Sequence, residues 1–499
     1  MQALCTRPKE VAIREHPAID GCFEATVLRI QCRRVSRSRS SARQGSRAIA
    51  VGTHVRRTLM RPSVDHSELP PVRSSVWRRT DRIESAEIPS RRPGRTRFQA
   101  IDTARGFAML LVFLSHFSRH YFRPVGAQSI HDALAWITRV STPAFVLLSG
   151  MMLGLLRYEQ RASFFSTRDK LVDRGMFLLL VCHPLIAIGE IPAARRAGFA
   201  WHAPFTMEVF VTDAIGVSLI AGAFIAQRAS VRERLGLGAA LLLVHWLGDV
   251  LWTPSGHSAL LALREVISGR LQDPVLYYGF PLLPWFGVYM LGSGLGELFA
   301  SWRDRGEVHR ASGVALRVGL GALACVTVLK LLLLPLRSLR HGGATSWVDR
   351  LLLMGSVGEK LPPSMAYVGF YGGFALVLLS TLLAAEAADL GRRPGLLRRW
   401  AALVGRNSLV AFVIQVYVYY VGVVLLPKPP LWLSPVYFAA TLAVLLALLK
   451  LCDTYRMNAY FSVGYARWAR RRWPEDAPVA TGAVSTEAPP KKPGLLRLP

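Results

Sequence analysis

The sequence predicts an all-α fold: a polytopic transmembrane helical bundle of about ten spans, with N- and C-termini cytoplasmic. Three observations carry this. Of the 499 residues, 52% are hydrophobic and the mean hydropathy is +0.30, unlike an ordinary soluble chain. Apolar runs of the length that crosses a hydrocarbon core, about 20 residues, recur between residues 104 and 452. Lys and Arg gather in alternate connections, as they do in short cytoplasmic loops. In order, the runs lie at roughly 104–122, 136–156, 174–192, 205–226, 235–253, 276–299, 314–336, 364–386, 403–425 and 431–451. They are continuous and too long for the alternating strands of a barrel.

In a soluble protein a net charge of +29 would suggest nucleic acid. Its distribution here speaks for topology, with no nucleic-acid partner and with anionic lipid as the partner of the charge. With the N-terminus inside, the inner loops are Arg157–Arg174, Arg228–Arg234, Arg303–Arg310 and Arg392–Arg399, followed by the Arg467–Arg472 cluster. Outer loops carry fewer charges, such as Arg119 and Arg123, or Lys428 alone. The segment with Arg337, Arg340, Arg350 and Lys360 departs from that pattern.

Three regions follow from composition. Residues 1–97 hold the Arg/Ser-rich "QCRRVSRSRSSARQGSR" and read as a disordered basic tail, or as partly untranslated with Met60 as an alternative start. Residues 98–455 form the transmembrane domain, and 456–499 a basic, then Pro/Ala-rich, cytoplasmic tail. No secretory signal opens the chain. The six cysteines are scattered without CxxC or Cys/His spacing, so neither a disulfide framework nor a metal site is signalled. There is no Walker A loop, GxSxG elbow or HExxH. The function therefore resides in the membrane domain.

The first span, "IDTARGFAMLLVFLSH" (101–116), carries three titratable groups in an apolar run. Eleven helical steps overshoot three turns by only about 20°, so Arg105 and His116 share a face, about 16 Å apart along the axis. Asp102, one turn before Arg105, can pair with it. Ionisable groups inside spans are expensive and point to function. A neutral imidazole at depth suits a general base. An interfacial anchor at Asp102 and Arg105, with His116 as a packing residue, is the alternative.

That stretch resembles the first motif of membrane acyltransferases related to heparan-α-glucosaminide N-acetyltransferase, and more loosely the acyltransferase-3 proteins. Further motifs follow in the same order: "WITRVSTPAFVLLSGMMLG" (136–154), "LVDRGMFLLL" (171–180), "VTDAIGVSLI" (211–220), "FPLLPWFGVYMLGSGLG" (280–296), "KLPPSMAYV" (360–368) and "GRNSLVAFVIQ" (405–415). The resemblance implies an enzyme, in the bacterial inner membrane, that moves an acetyl or other acyl group from cytoplasmic acyl-CoA onto a hydroxyl or amine of a glycan-type acceptor. Acetyl-CoA is then a donor substrate, and no cofactor is bound permanently. By position His116 matches the His closing the first motif, with Asp102 and Arg105 as its acidic and basic residues. His131 falls in the segment where the lysosomal member carries the His proposed for catalysis. Where bacterial relatives commonly have imidazoles, this chain has Arg139 and Gln415.

The remaining motifs each allow two readings. Arg174 suits a CoA phosphate or anchors a helix start. Trp285 stacks on an adenine or sugar ring, or belongs to the interfacial belt. Lys360 and Ser364 position an acceptor or phosphate, or form a helix-entry turn. Pro281 and Pro284 kink the start of their span, and Gly287, Gly292 and Gly296 let helices approach closely. Asp213, in an apolar run, needs a partner. Rival functions are a proton-coupled transporter and a non-catalytic member of the same fold; a homo-oligomer is compatible with either.

Overall fold

A computed structural model describes residues 98–196, 198–252, 258–269, 278–339, 347–388 and 395–472. The basic tail at 1–97 with Met60, and residues 473–499, lie outside the described residues. The compact unit begins at Phe98.

Helix α1 (Gln99–Tyr121) starts with its free backbone N–H groups satisfied by a distant carboxylate: Glu386 accepts from Gln99 at 3.2 Å and from Ala100 at 2.6 Å. Helices α2 (Gln128–Thr138) and α3 (Ser141–Glu159) follow, with only Arg139 and Val140 between them. α4 (Phe164–Phe177) runs through a π-type stretch at Leu178–Cys182 into α5 (His183–Arg196). α6 (Val211–Arg228) and α7 (Val231–Leu251) form the next pair. The start of α7 is fixed by a capping box: the Glu233 N–H donates to Ser230 Oγ at 3.3 Å and the Ser230 N–H to Glu233 Oε2 at 2.7 Å.

Further along come α8 (Ser258–Ser268), α9 (Leu282–Asp304), α10 (Val308–Leu333), α11 (Trp347–Met354) and α12 (Met365–Ala388). α13 (Leu396–Arg406) turns by 82° into α14 (Ser408–Val416), which widens into a π-type stretch at Tyr417–Val423. α15 (Ser434–Thr454) and α16 (Tyr465–Arg472) complete the set. One parallel pair of two-residue strands, β1 (Glu208–Val209) and β2 (Tyr278–Gly279), aligns Glu208 with Tyr278 and Val209 with Gly279.

All ten predicted spans contain helix, yet the number able to cross a membrane is smaller. Among the described residues eight helical stretches are long and apolar enough, or nine if the bent α13–α14 pair is one span. The helix that falls short is α9, where four glycines, Ser293 and Glu297 dilute the apolar content. It is instead packed between α3 and α7, with Trp285, Tyr289, Met290, Phe299 and Ala300 buried. Pro281 and Pro284 do not kink it, because they stand at its cap and in its first turn, where a missing N–H costs nothing. At the periphery, α10 and α15 keep apolar side chains outward, as a lipid-facing surface requires, Leu332 being 69% exposed and Val436 64%. The helical structure also continues beyond residue 455. Asp173 of α4 accepts from the backbone N–H groups of Val463 and Tyr465, both at 3.0 Å, and so caps α16.

Glycines set the closest approaches. A Cβ on Gly292 or Gly296 of α9 would lie 2.1 Å from the carbonyl oxygen of Leu147 or Met151 on α3. The tightest crossing joins α1 to α13. A Cβ on Gly106 would meet Ala401 O at 1.8 Å, and one on Gly405 would meet Asp102 O at 1.8 Å. Gly106→Ala and Gly405→Ala should therefore each cost about 3 kcal/mol or more through forced separation of the two backbones. Thermal unfolding in detergent should show both variants destabilised, and Gly372→Ala, with no neighbour within 4 Å of its Cβ, unchanged or slightly more stable.

Candidate functional site

The crossing of α1 and α13 places α14 alongside α1. Near its start, Arg105 Nη2 donates to Ser408 Oγ at 2.6 Å while its guanidinium lies 5.8 Å from the centre of the Phe145 ring. Asp102, expected beside Arg105, is buried against the Gly405 crossing. Three turns higher the same two chain segments meet again. The Tyr420 ring lies 5.0 Å from that of His116 and 4.2 Å from that of His120. His116 keeps part of its surface accessible, but its Nδ1 is buried and finds no hydrogen-bond partner.

Cations surround this imidazole. Arg119 and Lys360 are both within electrostatic reach of His116. Arg119 reads from the sequence as a loop charge, whereas it lies in the last turn of α1. Lys360 comes from the turn before α12 and is enclosed by protein although part of its surface stays accessible. Burial first, then the charges of Arg119 and Arg139, bring its ammonium down from 10.5 to about 8. Arg139, one of the two positions without the relatives' imidazole, stacks its guanidinium over Trp136 at 5.4 Å. Its backbone carbonyl accepts from Tyr367 Oη at 3.0 Å, which holds the α2–α3 joint against α12.

Arg119 is also within electrostatic reach of a group of carboxylates. Glu208 of β1 is buried with Oε1 unpartnered, and burial, reinforced by Glu190 and Asp213, pushes its carboxyl up to about 9. Asp213 has the partner its position demanded. Its Oδ2 pairs with His183 Nδ1 at 2.9 Å and accepts the Phe210 N–H at 2.8 Å, closing the first turn of α6.

Other residues singled out in the sequence lie elsewhere or are engaged in the scaffold. His131 pairs its Nδ1 with Ser118 Oγ at 2.9 Å, and both groups are buried. Ser364 caps α12, donating to Ser356 O at 2.5 Å and accepting the Tyr367 N–H at 2.9 Å. Trp285 is not in a belt: it is fully buried and stacked on Phe280 at 5.2 Å. Arg174 is exposed in the last turn of α4, because that helix starts at Phe164, ten residues before the expected helix start. Gln415, the second position without imidazole, is fully buried on α14.

Sequence reasoning passed over His120, His183, Glu190, Glu208 and Tyr420. A carboxylate inside "VCHPLIAIGEIP" is the same signal that marked Asp213 and could have found Glu190; nothing local distinguishes Tyr420. Among the described residues no group of three or more His, Cys, Asp or Glu side chains is placed to hold a metal ion.

Lys360 gives the site a measurable signature. Between about pH 8 and 10.5 the unfolded chain holds this proton and the folded chain does not, so stability should rise with pH across that window. The cost of the enclosed charge is fully present below it. Lys360→Met should flatten the rise, read from unfolding temperatures in detergent over that range. An unchanged slope would mean that the ammonium is not desolvated.

No curated protein matches the chain significantly. The family described as heparan-alpha-glucosaminide N-acetyltransferase, catalytic, matches residues 97–324, a stretch that runs from the start of α1 into α10 and includes His116, Arg119 and Arg139. Over those residues, a little under half of its length, the chain is similar to this family, and its long apolar helices are those of a membrane protein.

Proposed function

We propose that the protein transfers an acetyl or other acyl group from CoA, bound from the end of the bundle where α1 begins, to a hydroxyl or amine of a glycan-type acceptor at the His116 end. In this reading the α1 start faces the cytoplasm of a bacterial cell and the Arg-rich connections at that end contact anionic lipid. The observation that carries the reading is the pairing, on one helix face, of Arg105 with an imidazole whose Nδ1 has no protein partner. Arg105 suits the anionic end of the donor. The rise to His116, about 16 Å, is a length that the extended arm of CoA can span.

Chemically, His116 Nδ1 takes the proton of the acceptor as its oxygen or nitrogen attacks the thioester carbonyl. The new bond makes a tetrahedral carbon whose oxygen is negative, and Lys360 and Arg119 are the cations within reach of that point. Collapse breaks the carbon–sulfur bond, and the proton held on the imidazole passes to the departing thiolate. The carboxylates about Glu208 are linked electrostatically to Arg119 and suit acceptor hydroxyl or amine groups.

His116→Ala should lower kcat by about a hundredfold to ten-thousandfold while acetyl-CoA binding persists, measured by transfer of radiolabelled acetyl to candidate glycans with purified protein. Undiminished transfer would remove His116 from the role of base. If the Lys360 ammonium stabilises the oxyanion, kcat should fall as pH passes above about 8. Lys360→Arg should carry that limb to higher pH, since a guanidinium stays charged. A pH profile identical in the two proteins would assign the limb to another group.

A further inference from the structure

Gln415 presents a problem of its own. It is fully buried, and neither Oε1 nor Nε2 of its amide meets a hydrogen-bond partner. Leaving both ends of a buried amide unpaired is costly, and native interiors seldom contain it without a use. Its surroundings define the use. Residues seven apart share a helix face, and Ser408, seven before Gln415, bonds to Arg105 on α1. Tyr419, four after it, sets its ring 6.3 Å from Phe113 and 6.2 Å from Phe117 on that same helix. Gln415 thus stands on the α1-facing side of α14 at an intermediate height, about 10 Å above Ser408. The α1 stretch opposite, Gly106 to Val112, offers no strong hydrogen-bonding side chain. Directly beyond Gln415 the helix widens at Tyr417–Val423, a departure common at functional sites.

We propose that Gln415 binds the pantetheine arm of the CoA donor, with Nε2–H donating to a carbonyl of the arm and Oε1 accepting an amide N–H. This rests on the donor reading above. Between its phosphates and its thioester the arm is uncharged, and its polar groups along the chain include secondary amides, each with one donor and one acceptor. A primary carboxamide is the neutral side chain that supplies both complements at once. Arg105 lies below Gln415 for the phosphate end and His116 above it for the thioester. The height of Gln415 is therefore that of the arm, and the unpaired amide is explained as a half-pair that the donor completes.

Calorimetric titration of the full-length protein in detergent tests this with two probes: acetyl-CoA, and adenosine 3′,5′-bisphosphate, which has nucleotide phosphates but no arm. Gln415→Leu should weaken acetyl-CoA about tenfold to hundredfold and leave the bisphosphate unchanged. Without ligand the variant should unfold at the same temperature as the parent or higher, because an unsatisfied amide has been removed. Gln415→Asn, which keeps the amide but withdraws it, should lose affinity to an intermediate degree and carries the test if the leucine variant does not fold. Equal acetyl-CoA affinity in parent and variants, or equal weakening of both probes, would overturn the role of Gln415 and leave the donor reading standing. A parent protein that binds no acetyl-CoA would overturn both.

Discussion

The backbone contact between α1 and α13 is the constraint on which the site's geometry depends. At Gly106 and Gly405 each helix offers its partner a surface without a side chain, and any Cβ there would overlap a carbonyl oxygen. Because the helices touch, Asp102 is buried and Arg105 is brought within 2.6 Å of Ser408. The chain bends by 82° one residue after α13 ends, so the same crossing fixes where α14 begins and aligns it with α1. The meeting of Tyr420 with His116, some three turns away, follows from this alignment. Separating the helices at the crossing would tilt α14 and carry the ring away from the imidazole.

A second rigid unit supports the first. The glycines of α9 and α3 interlock, and α9 consequently trades lipid contact for backbone contact. Its Glu297 is tolerable in this setting only because it is paired: Arg234, itself 1% exposed, reaches both Glu297 and Ser293, and Arg161 approaches Glu297 from the other side at 3.0 Å. An ion pair withdrawn from water gains little in stability over an apolar pair but is severely damaged when one partner is lost. Arg303 lies over Phe98 at 4.8 Å and joins this slab to the beginning of α1. The wall behind Arg105 is therefore stiff at the end where the proposed donor enters.

Much of this was legible in the sequence, for identifiable reasons. Apolar runs located every helix that was predicted to span, because their length is a property of the chain alone. The eleven-residue spacing put Arg105 and His116 on one face, because helical phase is local. The glycines of "GSGLGE" announced a close approach without naming the partner. What failed depended on neighbours. Arg174 reads as a helix start because Arg168, Asp169, Lys170 and Asp173 interrupt the apolar run before it, although 164–173 are helical. Trp285 could be read as a belt residue only while the burial of α9 was unknown. Ser364 reads equally as a ligand residue or as part of a helix-entry turn, and only the contact with Ser356, eight residues earlier, shows its hydroxyl in the turn. Arg119 and Lys360 reach the same imidazole from sites more than two hundred residues apart, a coincidence that spacing cannot reveal.

The two π-type stretches complete the account. Leu178–Cys182 and Tyr417–Val423 belong to different spans, yet their neighbourhoods interlock: Tyr417 Oη donates to Leu185 O at 2.7 Å, and a Cβ on Gly189 would stand 2.5 Å from Val416 Cγ1. Irregular backbone at membrane depth is tolerated where protein or a lined cavity covers it, and α5, which continues from the first stretch, packs on the second. The widening also has a geometric effect on α1. Successive residues of a regular helix point about 100° apart, too far for both to address one neighbour fully. A wider turn has more residues and a smaller step between them, so Tyr419 can face Phe113 and Phe117 while Tyr420 faces His116 and His120. One residue seals the apolar side of α1 and the next borders the imidazole, and the departure from α-helical geometry is what lets adjacent side chains do both.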